Sequence, residues 1–445
     1  MVNPTHVQYY QYNPTTPEVF MQRVNCSRVI TLNRPSQLNS VTTSLLMRLL
    51  GYLKTCETSN EVNLVILKGA GRAFCTGGDL KHCSEAFVDA PDPHTAKANL
   101  QSFSQIYTLL HLVATMDTPI VTLMDGMTCG AGSGIGAFSQ FRIATENTCV
   151  AMPEATIGTF CDMGSSYYMS RLDANLGTYL ALTGRVLKGE DVYLAGFATH
   201  FVPSSSLKAL EERLTQITEP TLDLINDVIE EYAVGPNHKP SSYMMHGQRL
   251  EKINEWFRYG TVEEIVDALR RDGSKFALDT MNTILSHSPT CLKITLESYR
   301  RGKNMSLLEC LEMEYRIWHI TPYLPDFKNG IKAKLVTKQK MEWTPSRLED
   351  VDLEEDIRSR IFHCFAPIIF VPSSRKDYFK RPVNYTLPTE REILDALLTL
   401  ELNSAEKVIE WCQATCKGKK YGIVEKVTDV LNRNRSRFNK LMAKL

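Results

Sequence analysis

Pro119-Ile-Val-Thr-Leu-Met-Asp-Gly-Met-Thr-Cys-Gly-Ala-Gly-Ser-Gly-Ile-Gly-Ala-Phe138 reads as a short apolar strand, a glycine-rich turn and the opening of a helix. The same unit stands upstream. Val62-Asn-Leu-Val-Ile-Leu67 leads into Cys75-Thr-Gly-Gly-Asp79, and apolar residues then recur at helical spacing from Leu100 to Met116. Earlier still, the β-branched run Arg28 to Leu32 ends in Asn33-Arg-Pro-Ser-Gln-Leu-Asn39 and gives way to an amphipathic stretch from about Thr42 to Thr55. Successive strand–loop–helix units predict a layered α/β domain with functional groups on the loops at one end of a sheet. Arg142-Ile-Ala-Thr145 and Cys149-Val-Ala-Met152 predict two more short strands, running into Ala151-Met-Pro-Glu-Ala-Thr-Ile-Gly-Thr-Phe-Cys-Asp-Met-Gly164.

That last segment carries two carboxylates, Glu154 and Asp162, downstream of both glycine turns. Glycine lets backbone N–H groups approach a substrate closely, so the turns could supply a donor pair for a thioester oxygen while the acids handle water and protons. Each feature also has an ordinary reading. Paired glycines often serve backbone geometry alone, and for Gly134 and Gly136 helix packing against a sheet is preferred. Glu154, after Pro153, suits a first helical turn, and Asp162 could cap a helix carrying Tyr167 and Tyr168. Gly132-Ser-Gly-Ile-Gly-Ala137 matches a dinucleotide pattern but opens no βαβ unit with a ribose acid. His82, His94, His111 and His200 have no partner at metal or triad spacing and read as surface or core histidines.

The chain has 445 residues, 43% of them hydrophobic, with 50 Lys plus Arg against 50 Asp plus Glu, so it is too long for one usual core and carries no general attraction to nucleic acid or membrane. No apolar run is long enough to span a bilayer. The 12 cysteines include no C-x-x-C pair, and Cys412 and Cys416 lack nearby histidines, so reduced buried thiols are expected. Met1 to Thr16 contain neither Lys nor Arg, unlike a presequence, which leaves a cytosolic chain or a missing leader. Helix signals follow Leu180, at Lys188 to Ala195, from Thr221 to Arg271 and at Leu307 to Trp318, and Trp343 to Asp350 reads as a hinge. The divisions expected are an N-terminal segment 1–25, a core 26–218, a helical part 219–345 and an extension 346–445. In the extension Phe365 to Ser373 resists a helical reading, Thr389 suits a cap for a helix through Leu400, and Lys417 to Leu445 holds nine Lys or Arg against Glu425 and Asp429.

Ile30-Thr-Leu-Asn-Arg-Pro35, Phe74-Cys-Thr-Gly-Gly-Asp79, Gly126 to Gly136, Phe141-Arg-Ile-Ala-Thr-Glu146 and Ala151-Met-Pro-Glu154 resemble the enoyl-CoA hydratase/isomerase, or crotonase, superfamily. Phe160 to Gly164, Leu182-Thr-Gly184, Ala195-Gly-Phe-Ala-Thr-His-Phe-Val202 and Ser288-Pro-Thr-Cys-Leu-Lys-Ile-Thr295 resemble its 3-hydroxyisobutyryl-CoA hydrolase branch, over about Arg28 to Trp343. The resemblance implies a spiral of ββα units with trailing helices, an acyl-CoA substrate with coenzyme A as part of it and no separate cofactor, and valine degradation in the mitochondrial matrix. It assigns Glu154 as nucleophile or water-activating base and Asp162 as the group that orients water, substrate hydroxyl or leaving group. The oxyanion donors fall on the N–H groups of Thr76 and Ala131, with Gly77 and Gly130 beside them, and Gly134 occupies the position of a hydratase acid.

The chain departs from that pattern at Thr76 and Ala131, usually Ala and Gly, and at Ile106, usually a substrate-contacting Glu. A backbone donor survives the first two changes, but the Ala131 methyl projects where the thioester must come close. Tyr385-Thr-Leu-Pro-Thr-Glu-Arg-Glu-Ile393 resembles the tail of hydrolase-like components of the mitochondrial small ribosomal subunit, and a basic terminus suits rRNA, although a solvated amphipathic helix is the commoner source of such a charge run. Two functions therefore stand side by side: a mitochondrial acyl-CoA thioesterase, and a docking body on the ribosome. A homo-oligomer is open in either case.

Overall fold

The computed structural model describes residues 17–79, 83, 93–240, 245–333, 341–363, 372–381, 385–400, 402 and 404–435. Numbered along the chain, strands β1 (Val19–Val24), β2 (Ser27–Leu32), β3 (Leu64–Gly69), β5 (Ile120–Met124), β7 (Phe141–Ala144) and β10 (His200–Phe201) lie side by side in that order. A second sheet holds β4 (Ala73–Cys75), β6 (Met127–Cys129), β8 (Cys149–Ala151) and β9 (Leu187–Lys188). The chain alternates between them: β3 then β4, β5 then β6, β7 then β8. Helices α1 (Thr43–Thr58), α2 (Pro93–Thr115) and α3 (Ala131–Phe138) carry it back each time, so apart from the pairs β1–β2 and β8–β9 the strands are parallel. This is the expected crotonase-like spiral of ββα units.

Why β3 opens on an uninterrupted apolar run follows from this layering. Leu64, Val65, Ile66 and Leu67 of β3 are all fully buried. Val65 and Leu67 face the cluster that includes α1 and α2, while Leu64 and Ile66 face a second cluster under helices Leu207–Leu214 and Leu222–Glu230. Thr42 caps α1 by accepting from the Leu45 N–H at 3.1 Å. Helix α2 starts at Pro93, well before Leu100, because its first turns are polar and carry no apolar period. The helix expected over Lys188 to Ala195 is shorter: Lys188 ends β9, Gly189 turns the chain at φ +53°, and only Glu190–Leu194 is helical.

Helices α4 (Pro289–Gly302) and α5 (Leu307–Trp318) pack on each other and on the turn Ser165–Tyr168, α5 opening on a Ser306/Glu309 capping box. The stretch read as a hinge is tied down: the Trp343 indole donates to Ser286 O at 2.9 Å, the Thr344 N–H to Asp326 Oδ1 at 2.7 Å and Lys293 to Val351 O at 2.6 Å. Beyond it, α6 (Glu390–Thr399) starts on the expected Thr389 cap, which with Glu392 forms a capping box. Helices α7 (Ala405–Thr415) and α8 (Ile423–Arg433) complete the described extension. Cys412 and Cys416 are free thiols that burial pushes up to about 12. Residues 364–371 of the apolar segment lie outside the described residues.

Four of the nine basic residues of the C-terminal end are paired with acids of the chain. Lys417 pairs with Asp223, Lys420 with Glu230, Lys426 with Asp173, and Arg433 with Glu390 and Asp429. Lys420 is the most enclosed, with Nζ at 3.0 Å from Glu230 Oε1, 2.8 Å from His200 Nε2 and 3.2 Å from Tyr385 O. These residues dock the extension onto the core. Arg437, Lys440 and Lys444 lie outside the described residues.

Candidate active site

The two glycine turns meet. Gly77, at φ +91°, and Gly130, at φ +50°, leave the ends of neighbouring strands β4 and β6. A Cβ placed on Gly77 would lie 3.5 Å from both Ala131 N and Gly130 Cα, and one on Gly130 would lie 3.1 Å from Glu154 Oε1. Thr76, Gly77, Gly130, Ala131 and Glu154 therefore share one small volume, and glycine at 130 is what lets the carboxylate approach the backbone. Ala131 is the first residue of α3, where N–H groups lack intrahelical acceptors. Neither its N–H nor that of Thr76 has an acceptor among the described residues. The Thr76 hydroxyl turns away to Leu38 O at 3.2 Å.

Glu154 opens the 3₁₀ turn Glu154–Ile157, as a first-turn acid should, but the turn does not exhaust it. The residue is 8% exposed, and its Oε2 is buried with no hydrogen-bond partner among the described residues. Such an orphan is costly in a fold and calls for a functional reason. Burial, then the Asp162 carboxylate, pushes Glu154 up to about 8, against a smaller downward pull from the Cys161 thiol. Burial likewise pushes Asp162 up to about 7, opposed by a hydrogen bond from Trp318. Two buried acids that hinder each other's ionisation near neutrality suit proton transfer. Cys75 and Cys129, beside the turns, are pushed by burial to about 12 and are poor thiolate nucleophiles.

Asp162 is not a helix cap. The turn Ser165–Tyr168 has Gly164 at its cap position and no side-chain cap bond. Its N–H groups are met by Glu314 of α5, which accepts from Gly164 N at 2.6 Å and Ser166 N at 3.0 Å. One helical turn on, the Trp318 indole donates to Asp162 Oδ2 at 2.6 Å. Both residues were missed in the sequence reading. Glu314 and Trp318 stand more than 150 positions from the acid segment, inside a helix whose apolar spacing explains it without them. The signal present was an acid on the buried face of that helix: Glu314 is fully buried.

Gly134 has a definite reason. A Cβ there would sit 2.5 Å from Met163 O, 3.1 Å from Met163 Cβ and 3.2 Å from Leu110 Cδ2, so no side chain fits without displacing backbone. Gly136 would meet Met124 Sδ at 2.7 Å, in keeping with its packing role. Ile106 is buried in the apolar core, next to Tyr107, whose hydroxyl is raised by burial and by Asp162. His111 is buried and bonded to Ser373 and Lys376 O, and His200 belongs to the Lys420 cluster. His82 lies outside the described residues. No group of three or more metal-ligating side chains occurs among the described residues. A cavity of about 1070 Å³ opens elsewhere, between Tyr167–Asn175 and the extension, with neither Glu154 nor Asp162 in its lining.

Residues 27–361 match the family model for enoyl-CoA hydratase/isomerase. The chain belongs to the enoyl-CoA hydratase/isomerase family. It is 42% identical to the mitochondrial 3-hydroxyisobutyryl-CoA hydrolase of Mus musculus over 77% of this chain and 88% of that protein. To the enzyme of the same name from Homo sapiens it is 40% identical over 80% and 91%. Among solved structures, a carnitinyl-CoA dehydratase from Mycobacterium thermoresistibile superposes with TM-score 0.70 at 30% identity, covering 79% of this chain and 97% of that one. An enoyl-CoA hydratase from Rhodobacter sphaeroides 2.4.1 gives TM-score 0.68 at 28% identity, over 77% and 97%.

Proposed function

We propose that the chain hydrolyses 3-hydroxyisobutyryl-CoA to 3-hydroxyisobutyrate and CoA, in the mitochondrial matrix as a step of valine degradation. The observation that carries the reading is the buried, unpartnered Oε2 of Glu154 beside the glycine turns, where the N–H groups of Thr76 and Ala131 have no acceptor among the described residues. The thioester oxygen accepts from those donors, which stabilise charge as the carbonyl carbon becomes tetrahedral. Glu154 acts on that carbon directly as nucleophile, or takes a proton from the attacking water. If Glu154 is the nucleophile, the C–S bond breaks as a mixed anhydride forms, and water then cleaves that anhydride to release the hydroxy acid, regenerate the carboxylate and supply the thiolate's proton; if it is the base, water's oxygen bonds to the carbon, the C–S bond breaks, and the proton taken by Glu154 passes to the departing thiolate. Asp162 orients water, the substrate hydroxyl or the leaving group. A hydrolase named for this substrate is the relative at 42% identity, and Gly134 leaves no room for a second acid that would hydrate an enoyl group.

The alternative, docking on the mitochondrial small ribosomal subunit and rRNA, rests on Thr76, Ala131, Ile106 and the basic end. Four of its nine basic residues are engaged in ion pairs within the chain, which favours the enzyme. Incubating purified protein with 3-hydroxyisobutyryl-CoA and following thiol release tests the reading. A rate no faster than that of Glu154→Ala would end it.

A further inference from the structure

Asp162 stands on a turn closed by one backbone bond of its own, from Ser165 N to Asp162 O at 3.0 Å. The two residues after it, Met163 and Gly164, are both left-handed, with φ +58° and +76°, and Met163 carries a side chain that disfavours this conformation. Two side chains of α5, four residues apart and so on one face, grip the turn from below. Glu314 Oε2 accepts from Gly164 N at 2.6 Å, and its Oε1 accepts from Ser166 N at 3.0 Å and the Ser166 hydroxyl at 2.5 Å. Trp318 Nε1 donates to Asp162 Oδ2 at 2.6 Å. The indole is itself fixed, edge-on to Phe327 with centroids 5.9 Å apart at 90°, and tilted against Phe160 at 5.9 Å and 52°. Its N–H direction is therefore set by packing.

We propose that Trp318 is the positioning residue of the acyl site: its indole N–H orients the Asp162 carboxylate, while Glu314 locks the left-handed turn that presents it. This rests on the hydrolase reading. Trp318 touches no reacting atom and acts through Asp162. The other titratable groups facing Asp162 are Glu154, Glu314, Tyr107, Tyr168, Cys83 and Cys161. Besides the indole, the Asp162 backbone N–H favours the ionised carboxylate. Removing the indole N–H takes away a bond that favours ionised Asp162, so its proton is held to higher pH.

Trp318→Phe keeps an aromatic ring and deletes the donor. A hydrogen bond to a charged group is worth enough that kcat for thiol release should fall roughly 10- to 100-fold. KM should stay within about 3-fold and the acid limb of the pH–rate profile should move up. Trp318→His, which returns a ring N–H, should recover part of the loss. Adding Trp318→Phe to Asp162→Asn should cost nothing further, since the two act as a unit. Multiplying losses in the double variant, an unmoved acid limb or an unchanged kcat would each overturn the proposal. Should Trp318→Phe not fold, Ser166→Ala reports on the Glu314 lock: a kcat loss with KM retained is expected, and an unchanged kcat counts against the proposal. Carboxyl ¹³C titration of labelled Asp162 needs no turnover. An upward shift in Trp318→Phe, together with no thiol release by the wild type, would keep the positioning role and remove the hydrolase reading; no shift removes the positioning role.

Discussion

Replacing Glu154 by Gln should abolish thiol release and at the same time stabilise the fold, increasingly so as pH rises. In the unfolded chain this carboxyl titrates near its ordinary 4.5, whereas in the folded protein burial and Asp162 move it to about 8. Between those values the folded state holds a proton that the unfolded chain has released, so stability falls as pH rises through the window and the loss is complete above about 8. At about 1.4 kcal/mol per pH unit the full displacement is a ceiling of roughly 5 kcal/mol. Because part of it is shared with Asp162, a visible effect of about 2 to 3 kcal/mol is the better expectation, a few degrees in Tm. Gln keeps the shape and never ionises, so it escapes this penalty. Thermal unfolding of both proteins at about pH 5 and about pH 9 reads the effect directly. The variant should match the wild type closely at the lower pH and exceed it at the higher. A variant less stable at the higher pH, or a difference independent of pH, would show that Glu154 is not the strained acid described.

Three further outcomes follow from the same geometry. Gly134→Glu should lower stability by about 3 kcal/mol or more, since its Cβ would enter the Met163 carbonyl, and should confer no hydration of an enoyl-CoA; denaturant unfolding and enoyl absorbance check both. Ala131→Gly should raise kcat/KM for thiol release by up to about 100-fold if the methyl holds the thioester about 1 Å out of place, while costing about 1 kcal/mol in helix stability; an unchanged kcat/KM removes the obstruction argument. Lys420→Met leaves Glu230 with His200 alone and should cost about 2 to 3 kcal/mol, below the penalty for a fully isolated buried charge, loosening α6 to α8 so that limited proteolysis cuts there first; protection equal to the wild type would mean the pair does not hold the extension.

The ββα spiral was legible because β3, β5 and β7 are covered on both faces and so are mostly apolar, and because the glycine turns fall at strand ends, where a sequence pattern marks them. Glu154 and Asp162 were legible as a pair within one segment. Trp318 and Glu314 were not, since long-range contacts leave no trace in spacing and both residues are ordinary in a helix with a good apolar period. Charge counting at the C-terminus does not see pairing, for a related reason. Lys417, Lys420, Lys426 and Arg433 read as a basic stretch, yet their acids Asp223, Glu230, Asp173 and Glu390 are distant in sequence or precede the counted window.

The turn that presents Asp162 also bears on which reaction the fold can run. Met163 in the left-handed region directs its carbonyl to where a side chain at 134 would have to begin, so an acid on α3 and this turn cannot occupy the site together. Glu314 and Trp318 hold the turn in place, and Gly134 is the residue that tolerates it. The choice between one acid set and the other is thus steric and made by backbone, not by the carboxylates' own chemistry. Converting this chain to a hydratase would require releasing Met163 from its conformation, which means undoing the grip of α5, before any acid at 134 could reach a substrate.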